Sequence, residues 1–426
     1  MPFLYDALLA LALLLASPYL LPKILLGRHG LAERLGFLPS GESDHRGSPG
    51  PSVWIHAASV GEVNSLAAFL PDLIELLPEH RFFLSVTTRA GKERATGLDQ
   101  RLENIFYLPI DLSFAVRRVL KRLRPQVLVL TETELWPNLI LQARQNGVRV
   151  ALVNGRLSSR SLSRYRAFRK IMKRIMNSIE LFCVQTEQDA GRFTSLGAPE
   201  ERVRVTGNFK GDLLMVSGLR GRRQAVRERL GIVPQDQILV AGSTRPGEEE
   251  ILFQAIRALR EKSHLVRAIV APRHIHRANK VIRMFQAGGL SVGRLSRLNS
   301  SSDQSWEVLV VDNLGQLLRL YAAADVAFVG GSLLPFGGHN PLEPASYGLP
   351  VLFGPYMDHC RQSAQLLLNS NGGVEVQNEQ ELQAHVERLL WDGEERRRRG
   401  ASALQAVQAS LGASRRTAEA LKGAIS

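Results

Sequence analysis

The feature that most constrains the fold of this chain is a repeated alternation of short apolar segments with amphipathic helical segments, which occurs in two series. Apolar, β-branched runs separated by helical stretches predict parallel strands joined by crossover helices. The strands predicted in the first series are Val53–His56, Phe82–Thr87, Val127–Thr131, Val148–Asn154, Leu181–Gln185 and Val203–Thr206. Those predicted in the second series are Ile238–Gly242, Ala268–Ala271, Val308–Asp312, Val326–Gly330 and Val351–Gly354. The alternation therefore predicts two α/β domains in tandem, which a length of 426 residues also favours.

The predicted boundaries divide the chain into four parts. A Gly/Ser/Pro-rich linker at Gly41–Pro51 precedes the first series, and a polar, basic segment at Met215–Gly231 lies between the two. The predicted parts are an N-terminal membrane-anchor segment at 1–35, Rossmann-like domains at 50–212 and 230–400, and a C-terminal helix at 401–426. Neither domain carries a well-placed G-x-G-x-x-G motif with the acid that should follow it, so dinucleotide binding is not predicted.

The N-terminal segment is apolar but short for a helix that crosses a membrane. Ala7–Pro22 carries no charge, whereas a membrane-spanning helix needs about 20 apolar residues, and this run contains Pro18 and Pro22. Basic residues follow the run and do not precede it, which is unlike a secretory signal and keeps the body of the protein in the cytoplasm. We interpret the segment as a monotopic anchor that enters one leaflet, with a buried core helix as the alternative.

The charge of the chain indicates a polyanionic partner. The net charge is +14 and the pI is about 10.3, which favours nucleic acid, anionic lipid or a phosphorylated substrate. The basic residues are scattered and no zinc-finger or RRM-type motif is present, so we predict no nucleic-acid partner. Cys183 and Cys360 cannot form a disulfide framework. The histidines lack zinc-ligand spacing and no Asp-x-Asp follows a strand, so we predict no metal site and no cofactor.

The segment Val329–Pro355 predicts a nucleotide-sugar site within one strand–loop–helix–strand unit. Its glycines, including Gly337 and Gly338, allow the backbone to approach a ligand closely at the end of a strand, where α/β sheets bind ligands. Asn340 is the predicted N-cap of a short helix, and Glu343 lies in its first turn. A carboxylate in that place can accept two hydrogen bonds from ribose hydroxyls, and the alternative is an acid that only compensates the helix dipole.

Acidic residues follow two predicted strands of the first series. Glu62 opens a helix after the first strand and is a candidate general base, although a helix start lowers the pKa of a carboxylate and burial must oppose this effect. The alternative is a helix-capping acid. Glu132 and Glu134 follow a later strand, and in a strand-like geometry they share a face, so repulsion raises the pKa of one of them. The alternative is structural pairing with Arg156 or Arg160.

The remaining candidates are groups that bind anions. Lys210 follows the last strand of the first series and can neutralise a departing phosphate, with a solvated surface lysine as the alternative. In the second series, the Gly242–Thr244 turn offers backbone amides to a phosphate or carboxylate. Arg273 lies at the end of another strand and suits bidentate anion binding. The segment Gly315–Leu317 is a turn and helix start where backbone groups can contact a base.

Together these segments resemble the bacterial 3-deoxy-D-manno-octulosonic acid (Kdo) transferases of lipid A biosynthesis, nearly from end to end. The motifs that carry the resemblance are Ser59–Glu62, Glu132–Asn138, Ala271–His274 and Gly337–Glu343, which occur in the family's order. One departure is visible at Tyr356–His359, where the family often has an Asn-Phe pair. This departure puts the role of that loop in doubt and leaves the assignment to the family in place.

The resemblance implies a GT-B glycosyltransferase fold, in which two Rossmann-like domains face each other across a cleft. The first domain binds the acceptor and the second binds the nucleotide sugar. Glu62 matches the family's general base, while Glu132 and Lys210 match residues that stabilise the transition state. The residues implied in CMP binding are Pro272, Arg273, Gly315, Gln316, Leu317, Asn340, Pro341, Leu342 and Glu343, joined by Ser243 of the neighbouring turn.

The implied reaction is an inverting, metal-independent transfer of Kdo. The donor is CMP-Kdo, and the acceptor is a phosphorylated glycolipid, the lipid A precursor (lipid IVA), at the cytoplasmic face of the bacterial inner membrane. One alternative is a GT-B transferase that uses another nucleotide sugar on a membrane acceptor. A second alternative is a catalytically silent GT-B module that tethers partners to the membrane. The presence of the candidate residues Glu62, Glu132, Arg273 and Glu343 argues against this alternative.

Overall fold

The computed structural model describes residues 5–7, 9–15, 30–38, 50–209, 211–212, 223–263, 265–298 and 305–425. The chain forms two compact units, one of Met1–Leu213 with Leu411–Ser426 and one of Leu214–Ser410. Each unit is built around a seven-stranded sheet whose paired strands run parallel. The predicted α/β class is therefore confirmed.

The sheet of the first unit has the strand order β3-β2-β1-β4-β5-β6-β7. Its strands are β1 Ser52–Ala57, β2 Arg81–Val86, β3 Leu102–Tyr107, β4 Val127–Thr131, β5 Arg149–Gly155, β6 Leu181–Val184 and β7 Val203–Val205. The helices of this unit before the chain leaves it are α1 Leu31–Arg34, α2 Val60–Leu76, α3 Arg89–Ala95, α4 Ser113–Leu123, α5 Pro137–Gln145, α6 Ser159–Arg166, α7 Arg169–Ser178 and α8 Glu187–Ser195. The order reverses between β1 and β4, and such a reversal places a ligand crevice at the carboxyl ends of the two strands.

The sheet of the second unit has the order β10-β11-β9-β8-β12-β13-β14. Its strands are β8 Gln237–Thr244, β9 Val266–Pro272, β10 Val292–Arg294, β11 Val308–Val310, β12 Val326–Val329, β13 Val351–Phe353 and β14 Gly373–Glu375. Its helices are α9 Arg223–Arg229, α10 Glu248–Lys262, α11 Ala278–Ala287, α12 Leu317–Leu320, α13 Leu342–Ala345, α14 Arg361–Asn369, α15 Glu379–Trp391 and α16 Gly393–Ala409. The order reverses here between β8 and β12, so the second crevice follows those two strands.

Two apolar layers cover the opposite faces of each sheet. In β1, Val53 and Ile55 belong to one layer and Trp54 to the other, and all three are fully buried. A strand buried on both faces requires apolar side chains at successive positions, which explains the continuous apolar runs in the sequence. The strands missing from the sequence prediction are β3, β10 and β14, which are all edge strands. Edge strands need less apolar surface, so polar residues interrupt the apolar pattern.

The chain returns to the first unit at its C-terminal end. The structure corrects the predicted single helix at 401–426, because α16 ends at Ala409 and a separate helix, α17, spans Ala413–Ile425. The break contains Gly412, whose φ is +81°, and Asp212 accepts the backbone N–H groups of Gly412 and Ser414 at 2.6 and 2.7 Å. Leu421 of α17 is fully buried in an apolar layer of the first sheet.

The described residues 5–7 and 9–15 of the N-terminal segment are helical, and Asp6 contacts other elements of the first unit. Asp6 accepts hydrogen bonds from the Ser113 backbone N–H at 3.1 Å and from the Asn138 side-chain amide at 2.6 Å. Leu14 and Leu15 are 70% and 73% exposed. No helix among the described residues is both long and apolar enough to cross a membrane. Of the predicted anchor at 1–35, residues 1–4, 8 and 16–29 lie outside the described residues, and Leu31–Arg34 forms α1.

Replacing Gly400 with alanine is expected to lower the free energy of unfolding by about 1–3 kcal/mol through overpacking. A Cβ on Gly400 would collide with the carbonyl oxygen of Gly348, which is a backbone atom in the turn before β13. Chemical denaturation provides the measurement. Gly423→Ala is the matched control, because Gly423 is also helical but a Cβ there meets no atom within 4 Å. The control should gain up to about 1 kcal/mol from helix propensity, and equal shifts in both variants would contradict the explanation.

Candidate active site

The crevice of the first unit contains the acidic residues predicted from the sequence. Glu62 follows β1 in the first turn of α2, and Glu132 follows β4 directly. Because β1 and β4 are neighbours, their carboxyl ends bring the two carboxylates to the same edge of the sheet. The negative charges of Glu132 and Glu134 act on Glu62, which shows that the three acids form one electrostatic cluster.

Glu62 is a buried carboxylate held by three hydrogen bonds. Its Oε2 atom accepts the Ala58 backbone N–H at 2.9 Å and the Thr131 hydroxyl at 2.7 Å, while Oε1 accepts the Ser59 hydroxyl at 2.9 Å. Ser59 is the N-cap of α2 and its hydroxyl oxygen accepts the Glu62 N–H, so the N-cap residue and Glu62 contact each other in both directions. Glu62 therefore makes the contact with the N-cap residue that a helix-capping acid would make. The same carboxylate also lies where a general base was predicted, after β1.

Burial raises the pKa of Glu62 above its ordinary value. The Thr131 and Ala58 hydrogen bonds oppose this shift, while the charges of Glu132 and Glu134 add to it. Burial thus outweighs the decrease in the pKa of Glu62 that was expected from its position at a helix start. A carboxylate whose pKa lies nearer to neutrality is a better match for accepting a proton from a sugar hydroxyl.

Glu132 and Glu134 do not share a strand-like face, because Glu132 has a left-handed backbone with φ +51°. Glu132 pairs with the Arg156 guanidinium at 2.7 Å. Glu134 turns instead toward the Trp136 indole N–H, which donates to it at 2.8 Å, and toward His56. Burial raises the pKa of Glu134, but hydrogen bonds and charge from His56, with the Trp136 hydrogen bond, reverse the shift and leave it lowered. Electrostatic repulsion from Glu132 and Glu134 instead raises the pKa of Glu62.

His56 is a buried member of this cluster that sequence reasoning did not assign. It is the fifth residue of β1, and its Nδ1 atom lies 3.0 Å from both the carbonyl oxygen and the hydroxyl of Ser85 on β2. Its Nε2 atom lies 3.5 Å from Glu134 Oε2. The signal in the sequence was a histidine within an otherwise apolar strand, where a buried polar ring requires partners.

A polar network at the ends of β5 and β6 reaches Phe209. Asn154 has a left-handed φ of +51°, is 1% exposed, and accepts the Phe209 backbone N–H at 3.3 Å. Gln185 donates to the Asn154 carbonyl oxygen at 3.0 Å and accepts from Asn208 at 2.9 Å. This network fixes the chain up to Phe209. Lys210, predicted to stabilise the transition state, lies outside the described residues.

The crevice of the second unit follows β8 and β12. Ser243 has a left-handed φ of +58°, and a Cβ on Gly330 would lie 2.7 Å from the Ser243 carbonyl oxygen, so glycine is required for the two strand ends to approach. Glu248 at the start of α10 is fully buried and accepts four backbone N–H groups, from Arg245, Gly331, Ser332 and Leu333, at 2.6–2.9 Å. These amides are thereby satisfied within the protein.

Arg273 and Glu343 form the charged part of this crevice. Arg273 follows Pro272 at the end of β9, is exposed, and its backbone N–H donates to the Thr244 carbonyl oxygen at 3.0 Å. Burial raises the pKa of Glu343 to about 7, although the positive charge of Arg273 and a hydrogen bond with Asn340 oppose the shift. The expected carboxylate at a helix start is thus present beside the expected guanidinium.

The short helix that carries Glu343 begins one residue later than predicted. Helix α13 starts at Leu342, with Pro341 at the N-cap position. The Asn340 side-chain oxygen still accepts the Leu342 backbone N–H at 3.2 Å, so it caps the helix from the preceding residue. The segment 340–343 predicted to bind CMP therefore lies in one turn at the edge of the sheet.

The segment Gly315–Leu317 also lies beside this crevice. Gly315 has a φ of +77°, Gln316 precedes α12 directly, and Leu317 is its first residue. A Cβ on Gly242 would meet the Leu317 side chain at 3.0 Å and would collide with the Tyr321 hydroxyl. Burial raises the pKa of Tyr321, and the charge of Glu343 adds to that shift. These contacts connect Leu317, through Gly242 and Tyr321, with Glu343 at the carboxyl end of the second sheet.

The loop at Tyr356–His359, whose role the sequence left in doubt, packs on Gly337 and Gly338. Both glycines have positive φ, and a Cβ on either would collide with His359 or Met357. The His359 backbone N–H donates to the Gly337 carbonyl oxygen at 2.8 Å. These two glycines therefore permit one loop to pack closely against another, which places His339 at the sheet edge next to Gly331.

His339 is a further residue of this crevice that the sequence analysis did not assign. Burial lowers its pKa to about 4, and the positive charges of Arg273 and Arg245 add to the shift. The imidazole is consequently neutral near pH 7 within a cationic environment. Among the described residues, no group of three His, Cys, Asp or Glu side chains is arranged to hold a metal ion.

Comparison with known proteins identifies the family. Residues 29–213 match the family model described as 3-deoxy-D-manno-octulosonic-acid transferase (kdotransferase). The chain is 33% identical over 397 residues to the 3-deoxy-D-manno-octulosonic acid transferase of Haemophilus influenzae, covering 93% of this chain and 91% of that protein. This chain belongs to the Kdo transferase family. The predicted resemblance is confirmed.

Two further comparisons concern length and fold. A bifunctional glycosyltransferase/methyltransferase of Fusobacterium nucleatum is 35% identical to this chain over 340 residues. The match covers 79% of this chain and 52% of that protein, so this chain spans about half the length of that relative. The crystal structure of UDP-GlcNAc 2-epimerase from Neisseria meningitidis bound to UDP-GlcNAc has a TM-score of 0.62, with 14% identity, and covers 87% of this chain and 99% of that chain. At that identity the likeness concerns the fold alone, and with the two parallel sheets it confirms the GT-B class.

Proposed function

We propose that this chain transfers Kdo from CMP-Kdo to a sugar hydroxyl of a phosphorylated glycolipid, the lipid A precursor. The observation that carries the proposal is the Glu62 carboxylate, which is buried at the strand reversal of the first unit and has a raised pKa. Family membership supports Kdo as the group transferred, since relatives are named 3-deoxy-D-manno-octulosonic acid transferase.

In the proposed reaction the acceptor hydroxyl oxygen attacks the anomeric carbon of Kdo. The bond from that carbon to the phosphate oxygen of CMP breaks, CMP leaves with the electron pair, and the hydroxyl proton passes to Glu62. Attack from the face opposite CMP inverts the configuration. Glu132 and Lys210 are proposed to stabilise the transition state, and the pairing of Glu132 with Arg156 supports a fixed position for its carboxylate.

The second unit is proposed to hold the donor. Glu343 accepts hydrogen bonds from the ribose hydroxyls, and Arg273 binds an anionic group of CMP-Kdo. Ser243, with Gly315–Leu317 and Asn340–Leu342, lines the same crevice and contacts the nucleotide. The mutual electrostatic influence of Arg273, Glu343 and His339 supports a single binding site for an anion and a sugar diol.

The reaction is proposed to take place at the cytoplasmic face of the inner membrane. The exposed leucines of the helical residues 9–15 support an N-terminal anchor that enters one leaflet. The net charge of +14 favours association with an anionic lipid surface.

A turnover assay tests the proposal. The full-length protein is incubated with CMP-Kdo and tetraacylated lipid A precursor in the presence of EDTA, and products are identified by mass spectrometry. We expect an acceptor whose mass increases by one or more Kdo residues. Turnover of a UDP-sugar instead of CMP-Kdo would support the alternative transferase, and binding of donor without any transfer would contradict the proposed acceptor.

A further inference from the structure

The helix pair α6 and α7, here called the α6–α7 surface and comprising Ser159–Ser178, has an unusual charge pattern. It contains seven basic residues and no acidic residue: Arg160, Arg164, Arg166, Arg169, Lys170, Lys173 and Arg174. All seven side chains belong to exposed residues. Two large apolar side chains are exposed among them, Phe168 at 63% and Ile171 at 39%. The sequence analysis assigned no role to this combination.

The α6–α7 surface is a well-packed part of the first unit. On the inner side of α7, Met172, Ile175 and Met176 are buried in the apolar layer that covers one face of the first sheet. The exposed positions of Phe168 and Ile171 are therefore not explained by packing within the unit. An apolar residue ringed by exposed cations is typical of a surface that meets a lipid headgroup layer.

Within the part of the chain that the structure describes, none of the seven cations of this surface makes a salt bridge with a carboxylate. The arginine run of α16 differs in this respect, because Arg398 and Arg399 both contact Glu395. The positive charge of the α6–α7 surface is thus available to an external anion.

The α6–α7 surface borders the cluster that contains Glu62. Leu162 and Tyr165 of α6 pack against the same apolar layer as Leu135 and Trp136, which follow Glu134 directly. Burial raises the pKa of Tyr165, and the charge of Glu134 adds to this shift, so the phenol lies near that carboxylate. A ligand bound at this end of α6 would therefore lie on the side of the first unit that carries Glu134.

We propose that the α6–α7 surface docks on an anionic bilayer. Phe168 and Ile171 enter the interfacial region, and the basic side chains contact lipid phosphates. This contact holds the Glu62 cluster at the height of the headgroups. Each basic residue near an anionic membrane contributes favourable binding energy. Seven exposed basic residues match the many phosphates of a bilayer surface better than they match a single phosphate group. The inference rests on the proposed function only in taking the acceptor to be a lipid of that bilayer.

Vesicle binding by the full-length protein tests the docking directly and needs neither donor nor acceptor. Binding to phosphatidylcholine vesicles is compared with and without phosphatidylglycerol, at low and physiological salt. We expect Arg166→Glu/Lys170→Glu to lose about tenfold or more of its partitioning onto the anionic vesicles. Phe168→Ser should weaken binding severalfold, because it removes the exposed aromatic ring.

The matched control is Arg397→Glu/Arg398→Glu in α16, which makes the same change in net charge on exposed residues of the second unit. It should change anionic partitioning by less than about twofold, since its site is proposed not to touch lipid. Circular dichroism and thermal unfolding confirm that each variant is folded. Equal losses in the two charge variants would overturn the proposal, and so would wild-type binding by Arg166→Glu/Lys170→Glu.

Turnover separates this inference from the proposed function. With a deacylated, water-soluble acceptor, Arg166→Glu/Lys170→Glu should retain the wild-type rate, whereas transfer to vesicle-embedded acceptor should fall in step with partitioning. If the wild type transfers nothing to either acceptor, the proposed function fails while the vesicle measurement still decides the docking. Tighter binding to a DNA duplex than to anionic vesicles at physiological salt would overturn the choice of a bilayer as partner.

Discussion

Replacing Glu62 with glutamine is expected to lower the turnover number by about 10²–10⁴-fold while leaving the affinity for CMP unchanged. The amide cannot accept a proton from the acceptor hydroxyl, yet it has the shape of the carboxylate. Its oxygen can accept from Ala58 and Thr131, and its NH₂ group can donate to the Ser59 hydroxyl, so all three contacts of Glu62 can persist. Steady-state turnover with saturating donor and calorimetric titration with CMP provide the two measurements.

The chain offers a matched control for the structural part of this substitution. Glu381 is the corresponding first-turn acid of α15, where Asn378 is the N-cap and the Glu381 carboxylate accepts the Gln377 backbone N–H at 2.9 Å. Glu381→Gln alters the same kind of cap far along the sequence and should leave turnover within about twofold of wild type. If Glu62→Gln retains more than about a tenth of the wild-type turnover, Glu62 is not the general base.

Replacing Glu343 with glutamine is expected to weaken CMP binding by about tenfold or more, because hydrogen bonds to a charged acceptor contribute more than those to a neutral one. The pKa of Glu343 is raised to about 7 in the ligand-free protein, so the carboxylate becomes ionised as the pH rises from 6 to 8. Wild-type affinity should therefore increase over this range more steeply than that of Glu343→Gln. Parallel pH profiles for the two proteins would contradict a ribose-binding role for the carboxylate.

The Glu343 carboxyl group also predicts the direction in which stability changes with pH. A carboxyl group whose pKa is raised by folding contributes stability that is complete below its ordinary pKa and is lost as the pH rises through about 7. Thermal unfolding temperatures should show Glu343→Gln gaining stability relative to wild type between pH 5 and pH 8, because the neutral amide escapes the cost of burying a charge. A constant difference across this range would show that Glu343 does not titrate near neutrality.

Much of the fold followed from local patterns. Continuous apolar strands such as Val127–Thr131 were predicted with correct boundaries, because burial on both faces of a parallel sheet demands apolar residues at every position. The edge strands β3, β10 and β14 were not predicted, since one side of each is left without a neighbouring strand. The division of the C-terminal segment between α16 and α17 also escaped prediction, because the break depends on contacts that Asp212 makes across 200 residues of chain.

The candidate site was predictable in its residues and less so in its contacts. Glu62 and Glu343 were identified because acids at helix starts after strands carry a local signal. Pairing with Arg156 was the structural alternative that the sequence offered for these acids, and Glu132 does make it. Pairing of Glu134 with His56 was not predicted, because the left-handed backbone at Glu132 turns the two side chains apart. His56 and His339 were left unassigned, because a histidine within an apolar strand or a Gly-rich motif does not reveal which side chains will surround it.

The sequence by itself determined the two α/β domains, the positions of their strand ends and the motifs that place this chain among the Kdo transferases. These features depend on short-range patterns, in which side-chain polarity alternates with the period of a strand or helix. Only the tertiary structure decided which strand ends are neighbours, which carboxylates pair and which pKa values shift. Those properties depend on burial and on distances between residues remote in the chain, and no local pattern encodes them.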